Sequence, residues 1–310
     1  MAEGIHNLLG MKGLNREVIT TILGTSAEFL KILERPIPKV PSLRGITIAN
    51  VFFENSTRTR ISFELAEKRL SADVINISAS GSSVYKGETL LDTVRNIEAM
   101  RVDLVVIRHY AQGASKFLSD RIEAKVVNAG DGSHEHPTQA LLDFMTLRQE
   151  LSEFEGKKVL LLGDVTHSRV ALSNIYGLQA LGAEVMVCGP STLLPHSISE
   201  LGVESCYDLD EALSWCDAVN VFRLQIERQN DGFIPTLRDY QRKFGLTRQR
   251  LEKVGRKITV LAPGPMNRGV EIDSDVADAP GSVILQQVTH GVAVRMAVLY
   301  LISGKERVDE

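Results

Sequence analysis

The sequence predicts an α/β protein with two doubly wound parallel-sheet domains. Strand-like and helix-like segments alternate through both halves of the 310 residues. The strand-like segments are nearly continuous apolar runs, which are typical of parallel strands covered by helices on both faces. Polar clusters directly follow several of these runs, where open α/β sheets bind their ligands. We therefore expect the two sheets to face each other across a cleft.

The first half of the chain supplies the first predicted domain, residues 1–150. Its strand-like runs are short, β-branched and apolar, and helical spacing begins near Ser56 and returns over 88–100 and 136–151. The predicted strands of this half are 46–53, 73–77, 103–107 and 125–128. The segment 155–158 is a predicted turn, so we place the boundary between the domains just before it.

Residues 151–310 form the second predicted domain, in which the alternation of strand, polar loop and helix begins again at Lys158. The predicted strands of this half are 158–162, 184–187, 218–222 and 258–261. The closing stretch, about 291–303, is an apolar helix. We expect this last helix to pack back onto the first domain.

Composition excludes several classes of protein. Charged residues make up 24% and hydrophobic residues 44% of the chain, and no apolar span is long enough to cross a membrane. The first ten residues lack the pattern of a secretory signal, so we expect a cytoplasmic protein. A net charge of −4 with dispersed basic residues gives no reason to expect nucleic acid as a partner.

The chain has three cysteines, and none of them lies in a CxxC pair. A structural zinc site and a disulfide framework both need closely spaced or paired cysteines. We therefore interpret Cys188, Cys206 and Cys216 as small buried residues of a protein in a reducing compartment.

A candidate phosphate site begins where the first strand-like run ends. The segment Ser56-Thr57-Arg58-Thr59-Arg60 opens a helix, and the first-turn amides of a helix attract anions. A serine at this place is most often only an N-cap. However, arginines oppose the positive end of a helix dipole and cost about 0.3–1 kcal/mol each unless an anion is bound. The two arginines therefore favour a phosphate ligand.

A second polar cluster, 134–139, begins another helix, with Pro137 at the first helical position. A helix N-terminus favours the neutral form of a histidine, so His136 could donate a hydrogen bond to a carbonyl oxygen without carrying charge. A single His-Pro pair is more often structural than catalytic. We place His134 at the surface and discount a metal site, because no carboxylate or cysteine cluster completes a ligand set.

Several motifs in a fixed order identify a family. They are 52–60, 86–90, 107–109, 128–132, 136–139, Arg169, Arg223 with Gln225, and 263–271. With these motifs the chain resembles the aspartate/ornithine carbamoyltransferase family over essentially its whole length, and within it the members that use aspartate. Agreement of so many independent motifs is highly specific.

The resemblance implies an activity without a metal or organic cofactor. The carbamoyl group of carbamoyl phosphate would be transferred to the α-amino group of L-aspartate, an early step of de novo pyrimidine biosynthesis. The residues expected to bind carbamoyl phosphate are Ser56, Thr57, Arg58, Thr59, Arg108, His136, Gln139, Gly264 and Pro265. Those expected to act in catalysis are Arg58, Thr59, Arg108 and His136.

The resemblance also assigns residues to L-aspartate and to a neighbouring subunit. The residues expected to bind aspartate are Lys86, Arg169, Arg223 and Gln225. In the family, the loop that holds the residues equivalent to Ser82 and Lys86 reaches into the active site of a neighbouring subunit. A homotrimer with shared sites is therefore expected. Association with regulatory subunits or with other pathway enzymes cannot be read from the sequence.

Two alternative functions stay open on the sequence. Members that use ornithine carry His-Cys-Leu-Pro where this chain has Ala262-Pro263-Gly264-Pro265, and arginine clamps would repel an ammonium side chain. Gly264 itself departs from the aspartate pattern, which often has a small or medium apolar residue there. A non-catalytic anion-binding homologue is the second alternative. A dehydrogenase is disfavoured, because no GxGxxG follows the run 159–162.

Overall fold

The computed structural model describes residues 5–78, 88–225, 234–280 and 282–304. The strands are β1 Thr47–Phe52, β2 Asp73–Ser78, β3 Leu104–His109, β4 Lys125–Asp131, β5 Lys158–Gly163, β6 Glu184–Cys188, β7 Glu204–Cys206, β8 Ala218–Phe222 and β9 Thr259–Leu261. The helices are α1 Arg16–Leu33, α2 Thr57–Arg69, α3 Leu90–Glu98, α4 Ala114–Ser119, α5 Pro137–Leu151, α6 Arg169–Ala180, α7 Leu209–Trp215, α8 Leu237–Phe244, α9 Arg248–Val254, α10 Ser274–Ala277 and α11 Ile284–Ser303. Strands and helices therefore alternate as the sequence predicts.

The chain divides into two compact units. The first comprises Met1–Leu142 and Thr289–Glu310, and the second comprises Asp143–Val288. The divisions fall inside α5 and inside α11, whereas the sequence placed its boundary at the turn that follows α5. These two long helices each contribute residues to both units, which hydrophobic periodicity alone does not indicate.

The first unit contains a four-stranded parallel sheet in the order β2-β1-β3-β4. The register pairs Thr47 with Asp73 and Phe52 with Arg108, so β1 runs through the middle of the sheet between β2 and β3. A buried cluster that includes Ala49, Val51 and Val105 packs one face of the sheet. Strands without a solvent face explain the unbroken apolar runs in the sequence.

The second unit contains a five-stranded parallel sheet in the order β7-β6-β5-β8-β9. Gly163 ends β5 with φ of 122°, and a Cβ atom there would lie 2.4 Å from the carbonyl oxygen of Phe222 on β8. Only glycine permits this close approach of two strand ends. Cys188, Cys206 and Cys216 are buried free thiols in this unit, which confirms that they are small buried residues.

The predicted fold class is confirmed for each unit taken separately. The prediction for the last helix is confirmed as well, because Lys125 Nζ donates to the carbonyl oxygen of Ile302 at 2.7 Å and Arg295 Nη1 donates to Ser62 Oγ at 2.9 Å. This helix starts at Ile284, earlier than predicted, because its first turns expose Leu285 and Val288 and hide the apolar periodicity. The cleft between the sheets stays a prediction.

No helix within the described residues combines the length and the apolarity that crossing a membrane requires.

A buried carboxyl group lies beneath α2, the helix that follows the candidate phosphate site. Glu67 Oε2 accepts a hydrogen bond from Asn50 Nδ2 of β1 at 2.7 Å, and Asn50 Nδ2 also donates to Asn76 Oδ1 of β2 at 3.0 Å. Burial raises the pKa of Glu67 to about 8 from its ordinary value of 4.5. The folded protein therefore favours the protonated carboxyl at neutral pH.

This raised pKa predicts that the protein loses stability as the pH rises. The contribution of protonated Glu67 is complete below about pH 4.5 and is lost as the pH rises through about 8. A glutamine side chain does not ionise, so the variant avoids the loss of stability at high pH. We expect the change in the free energy of unfolding caused by Glu67→Gln to be more favourable at pH 9 than at pH 4.5, by on the order of 2–4 kcal/mol. Denaturant unfolding at several pH values measures the difference. Glu123→Gln, which removes an exposed carboxylate from the same unit, is the control. An equal effect of Glu67→Gln at both pH values would contradict the prediction.

Candidate active site

Four of the predicted site residues follow or end strands at the two points where the strand order reverses. In the first unit the chain order turns between β1 and β3, and Ser56 follows β1 while Arg108 lies near the end of β3. In the second unit the order turns between β5 and β8, and Arg169 and Arg223 follow these two strands. The carboxyl ends of strands at such switch points form ligand-binding crevices.

Helix α2 begins as predicted, but Ser56 does not act as its side-chain cap. Ser56 has extended backbone angles at the N-cap position, and its hydroxyl makes no capping hydrogen bond. Elsewhere in the described part of the chain, six helices have a side-chain cap, from Asn15, Thr89, Ser168, Asp208, Thr236 and Thr247. The first turn of α2 contains no acidic residue, and Arg58 and Arg60 in it are exposed. A purely structural role for this serine is therefore disfavoured. A bound anion would complement the positive charge of the arginines and of the helix N-terminus.

Arg108 is held in a defined orientation beside this helix start. Its Nη1 donates to the carbonyl oxygen of Ala129 on β4 at 3.0 Å, and its Nε lies 3.4 Å from Glu54 Oε2. Glu54 belongs to the loop between β1 and α2. The sequence analysis did not assign Glu54 a role. An acidic residue inside a segment expected to bind an anion was the available signal, because its carboxylate can hold a neighbouring arginine in place.

His136 and His134 have different environments. His136 is 4% exposed and precedes α5, and its carbonyl oxygen accepts from the amide of Gln139 at 3.0 Å, closing the first turn. His134 is half-exposed and its Nδ1 lies 3.2 Å from Asp131 Oδ2, and this hydrogen bond raises the pKa of His134. The placement of His134 near the surface is consistent with the sequence. His136 is the histidine placed at the helix entry, as predicted.

Arg169 and Arg223 lie at the switch point of the second unit. Arg169 is the first residue of α6 and is 4% exposed, so a second helix start carries an arginine that opposes the positive end of the dipole. Arg223 follows β8 and its Nη2 donates to Gln225 Oε1 at 3.2 Å. The resemblance to the family assigns both of these residues to aspartate.

Two buried carboxylates hold the backbone that carries Arg223 and Gln225. The amide of Leu224 donates to Glu271 Oε1 at 2.8 Å, and the amide of Gln225 donates to Asp164 Oδ2 at 3.2 Å. Sequence reasoning did not assign either carboxylate. Their positions were the available signals, because Asp164 directly follows a strand and Glu271 closes the last motif.

The segment that contains Gly264 and Pro265 is exposed between two buried attachments. The amide of Ala262 donates to Gln287 Oε1 at 3.0 Å, and the amide of Asn267 donates to Glu271 Oε2 at 2.8 Å. The peptide bond between Gly264 and Pro265 is cis. The backbone of this segment is thus fixed at both ends and accessible in the middle.

Two predicted residues, Ser82 and Lys86, lie outside the described residues. Within the described ranges, no three His, Cys, Asp or Glu side chains are grouped so that they could hold a metal ion.

Comparison with known proteins gives two matches to family sequence models. Residues 6–149 match the carbamoyl-P binding domain of aspartate/ornithine carbamoyltransferase, and residues 155–302 match its Asp/Orn binding domain. The chain belongs to the aspartate/ornithine carbamoyltransferase family. Within this family it is 61% identical over 298 residues to the aspartate carbamoyltransferase catalytic subunit of Gemmatimonas aurantiaca. The matched region covers 96% of this chain and 93% of the relative.

Solved carbamoyltransferases have the same fold. The aspartate transcarbamoylase of Trypanosoma cruzi in complex with carbamoyl phosphate and aspartate superposes with a TM-score of 0.85 at 28% identity, over 96% of each chain. The ornithine carbamoyltransferase of Pyrococcus furiosus gives 0.84 at 28% identity, over 97% of this chain and 98% of that chain. Solved members with different amine acceptors therefore superpose on this chain equally well, so the fold does not identify the acceptor.

Proposed function

We propose that this chain transfers the carbamoyl group of carbamoyl phosphate to the α-amino group of L-aspartate, giving N-carbamoyl-L-aspartate and phosphate in pyrimidine biosynthesis. The observation that carries the proposal is the pair of helix N-termini that contain Arg58 and Arg169, at the switch points of the two sheets. The two reactants together bring a phosphate and two carboxylates, which match cationic sites of this kind. The names of the close relatives support the same activity.

In the proposed reaction, the amino group of aspartate attacks the carbonyl carbon of carbamoyl phosphate. A C–N bond forms, the C–O bond to phosphate breaks, and negative charge develops on the carbonyl oxygen. Thr59, Arg108 and His136 donate hydrogen bonds to that oxygen, and donors held in place before the reaction stabilise such charge strongly. The departing phosphate accepts the proton that the amine loses.

The phosphate and the amino group of carbamoyl phosphate have separate partners in the proposal. Ser56, Thr57, Arg58 and Thr59 bind the phosphate, and Arg108 bridges the phosphate and the carbonyl oxygen. Gln139 with the backbone at Gly264 and Pro265 holds the amino group. The contacts of Arg108 with Ala129 and Glu54 support this assignment, because they fix its guanidinium before any substrate binds. Orientation of two bound reactants then contributes much of the rate acceleration.

The choice of aspartate over ornithine rests on side chains. Arg169 and Arg223 attract the two carboxylates of aspartate and repel the ammonium group of ornithine. Ala262 begins the segment in which members that use ornithine carry a cysteine. Gln225, bonded to Arg223 at 3.2 Å, contributes a further polar group to this set.

Steady-state turnover of the purified protein tests the proposed function. We expect carbamoyl-aspartate and phosphate to form in equal amounts from carbamoyl phosphate and L-aspartate, and no product to form with L-ornithine. Product formation only with ornithine would assign the chain to the other acceptor. Binding of carbamoyl phosphate without turnover on either amine would favour the anion-binding alternative.

A homotrimer with shared active sites belongs to the same proposal. Ile61 and Leu65 on α2, with Ile75 on the edge strand β2, expose apolar side chains on the first unit. Ile61 and Leu65 lie one helical turn apart, and exposed apolar side chains so close together favour association with another protein surface. The segment with Ser82 and Lys86 directly follows β2 in the chain, so this surface supports contact with a second copy. The cytoplasmic location stays a prediction.

Hybrid oligomers test the shared sites. Lys86→Ala and Arg58→Ala chains are each expected to be nearly inactive. Mixed trimers are expected to regain part of the activity, because some sites then combine an intact Arg58 with a neighbour's intact Lys86. Size-exclusion chromatography with light scattering measures the mass of the oligomer and so tests whether it is a trimer. Trimers that mix both chains without any regain of activity would show that each site is built from a single chain.

A further inference from the structure

A buried carboxylate in the second unit is surrounded by carboxamide groups from three elements. Asp143 on α5 is fully buried, and its Oδ2 accepts from Asn174 Nδ2 of α6 and from Asn220 Nδ2 of β8, each at 3.0 Å. Its Oδ1 accepts from Gln287 Nε2 of α11 at 2.8 Å. These three amide donors hold both oxygens of the Asp143 side chain in place.

Gln287 is the member of this network that reaches the segment proposed to hold the carbamoyl amino group. Its side chain is 2% exposed, and its Oε1 accepts from the amide of Ala262 at 3.0 Å. Because its Nε2 is bonded to Asp143, the orientation of the Gln287 amide group is fixed, with its oxygen toward Ala262. Ala262 comes directly before Pro263, Gly264 and Pro265.

The attachment through Gln287 differs from the one at the other end of the segment. Glu271 accepts from Asn267 and also from the amide of Leu224, which lies between Arg223 and Gln225. A change at Glu271 therefore disturbs both the segment at 263–266 and the predicted aspartate residues. The side-chain oxygen of Gln287 is instead bonded to the backbone at the start of this segment. Gly264 adds backbone freedom in the middle of the segment, which makes the attachments at its ends more important.

We infer that Gln287, oriented by Asp143, is a positioning residue for recognition of the carbamoyl group, acting through the backbone at Ala262. This inference rests on the proposed function. It assigns to Gln287 an effect on carbamoyl phosphate that is separate from binding of the phosphate group at α2 and separate from binding of aspartate.

Gln287→Leu removes both hydrogen bonds while nearly preserving the side-chain volume. We expect it to raise the KM for carbamoyl phosphate about tenfold and to lower kcat by about the same factor. The combined loss of about 100-fold in kcat/KM corresponds to the two net hydrogen bonds that the variant removes. The inhibition constant of inorganic phosphate, which lacks the carbamoyl group, and the KM for aspartate are expected to stay within about twofold. Gln286→Leu, at the exposed neighbouring position of α11, is the matched control and leaves all four constants unchanged.

Gln287→Glu is the second variant, for the case that the leucine variant does not fold. The new carboxyl group can accept from Ala262 in either protonation state, but it donates to Asp143 only when protonated. The groups from α6 and β8 that face this carboxylate, Asn174 and Asn220, are neutral. We therefore expect its KM for carbamoyl phosphate, relative to the parent protein, to fall as the pH is lowered from about 8 to about 6.

The measurements separate failure of this inference from failure of the proposed function. Equal weakening of inorganic phosphate and carbamoyl phosphate would show that Gln287 only supports the fold, and an unchanged KM for carbamoyl phosphate would show that it positions nothing. Either result overturns the inference while the parent protein still turns over. A parent protein that forms no carbamoyl-aspartate would instead overturn the proposed function.

Discussion

Arg58→Ala is expected to lower kcat by about 100- to 1,000-fold and to raise the KM for carbamoyl phosphate, because the side chain contributes both to phosphate binding and to stabilisation of the developing charge. Arg58 lies in the first turn of α2, which carries no acidic residue and no side-chain cap. Its positive charge therefore opposes the helix dipole but would stabilise a bound anion. Steady-state kinetics with both substrates varied measures the two effects.

Two further variants define what Arg58 contributes. Arg58→Lys keeps the charge and loses the planar guanidinium, so we expect an activity between those of the parent protein and Arg58→Ala. Lys68→Ala removes an exposed cation from the opposite end of the same helix, where Lys68 pairs with Glu64, and is expected to leave the kinetics unchanged. Near-parental turnover of Arg58→Ala would contradict the assignment of the phosphate to α2.

Arg169→Ala is expected to raise the KM for L-aspartate by about 100-fold. This change corresponds to about 2.7 kcal/mol of binding free energy, which is the loss expected when a charge-assisted bond to a carboxylate is removed. The KM for carbamoyl phosphate is expected to change little. Arg169 is nearly fully buried at the start of α6, where a charge-assisted bond to a bound carboxylate is screened little by water.

Analogues of aspartate show whether this arginine recognises a carboxylate. The parent protein should strongly prefer aspartate to analogues in which either carboxylate is replaced by an amide. Arg169→Ala should lose the preference at one of the two carboxylates and keep it at the other. Arg248→Ala, which removes an exposed arginine paired with Glu252 in the same unit, is the control. An unchanged preference at both carboxylates would show that Arg169 does not bind aspartate.

The fold of each unit could be predicted because parallel strands covered on both faces leave a clear sequence signal. The runs at β1, β3, β5 and β8 contain little but apolar residues, and each ends at a polar cluster. The strand β7 has three residues, of which two are exposed, so it gave no such signal. Helix α1 was also not predicted, although it carries Asn15 as a clear N-cap.

The candidate site could be predicted where one short segment carries the chemistry. The five residues from Ser56 to Arg60 combine hydroxyls, guanidinium groups and a helix start, and the structure places that helix start at Thr57. The groups that hold the site could not be predicted in the same way. Asp164, Glu271 and Gln287 act through contacts with residues distant in sequence, such as the bond of Gln287 to Asp143.

Co-crystallisation with N-(phosphonacetyl)-L-aspartic acid tests in one measurement whether α2 binds the phosphate and Arg169 binds aspartate. This compound joins a phosphonate to aspartate, and the aspartate transcarbamoylase of Trypanosoma cruzi has been crystallised with it. We expect one bound molecule whose phosphonate contacts Arg58 and the first-turn amides of α2, and whose carboxylates contact Arg169 and Arg223. A bound molecule that contacts neither Arg58 nor Arg169 would contradict this expectation.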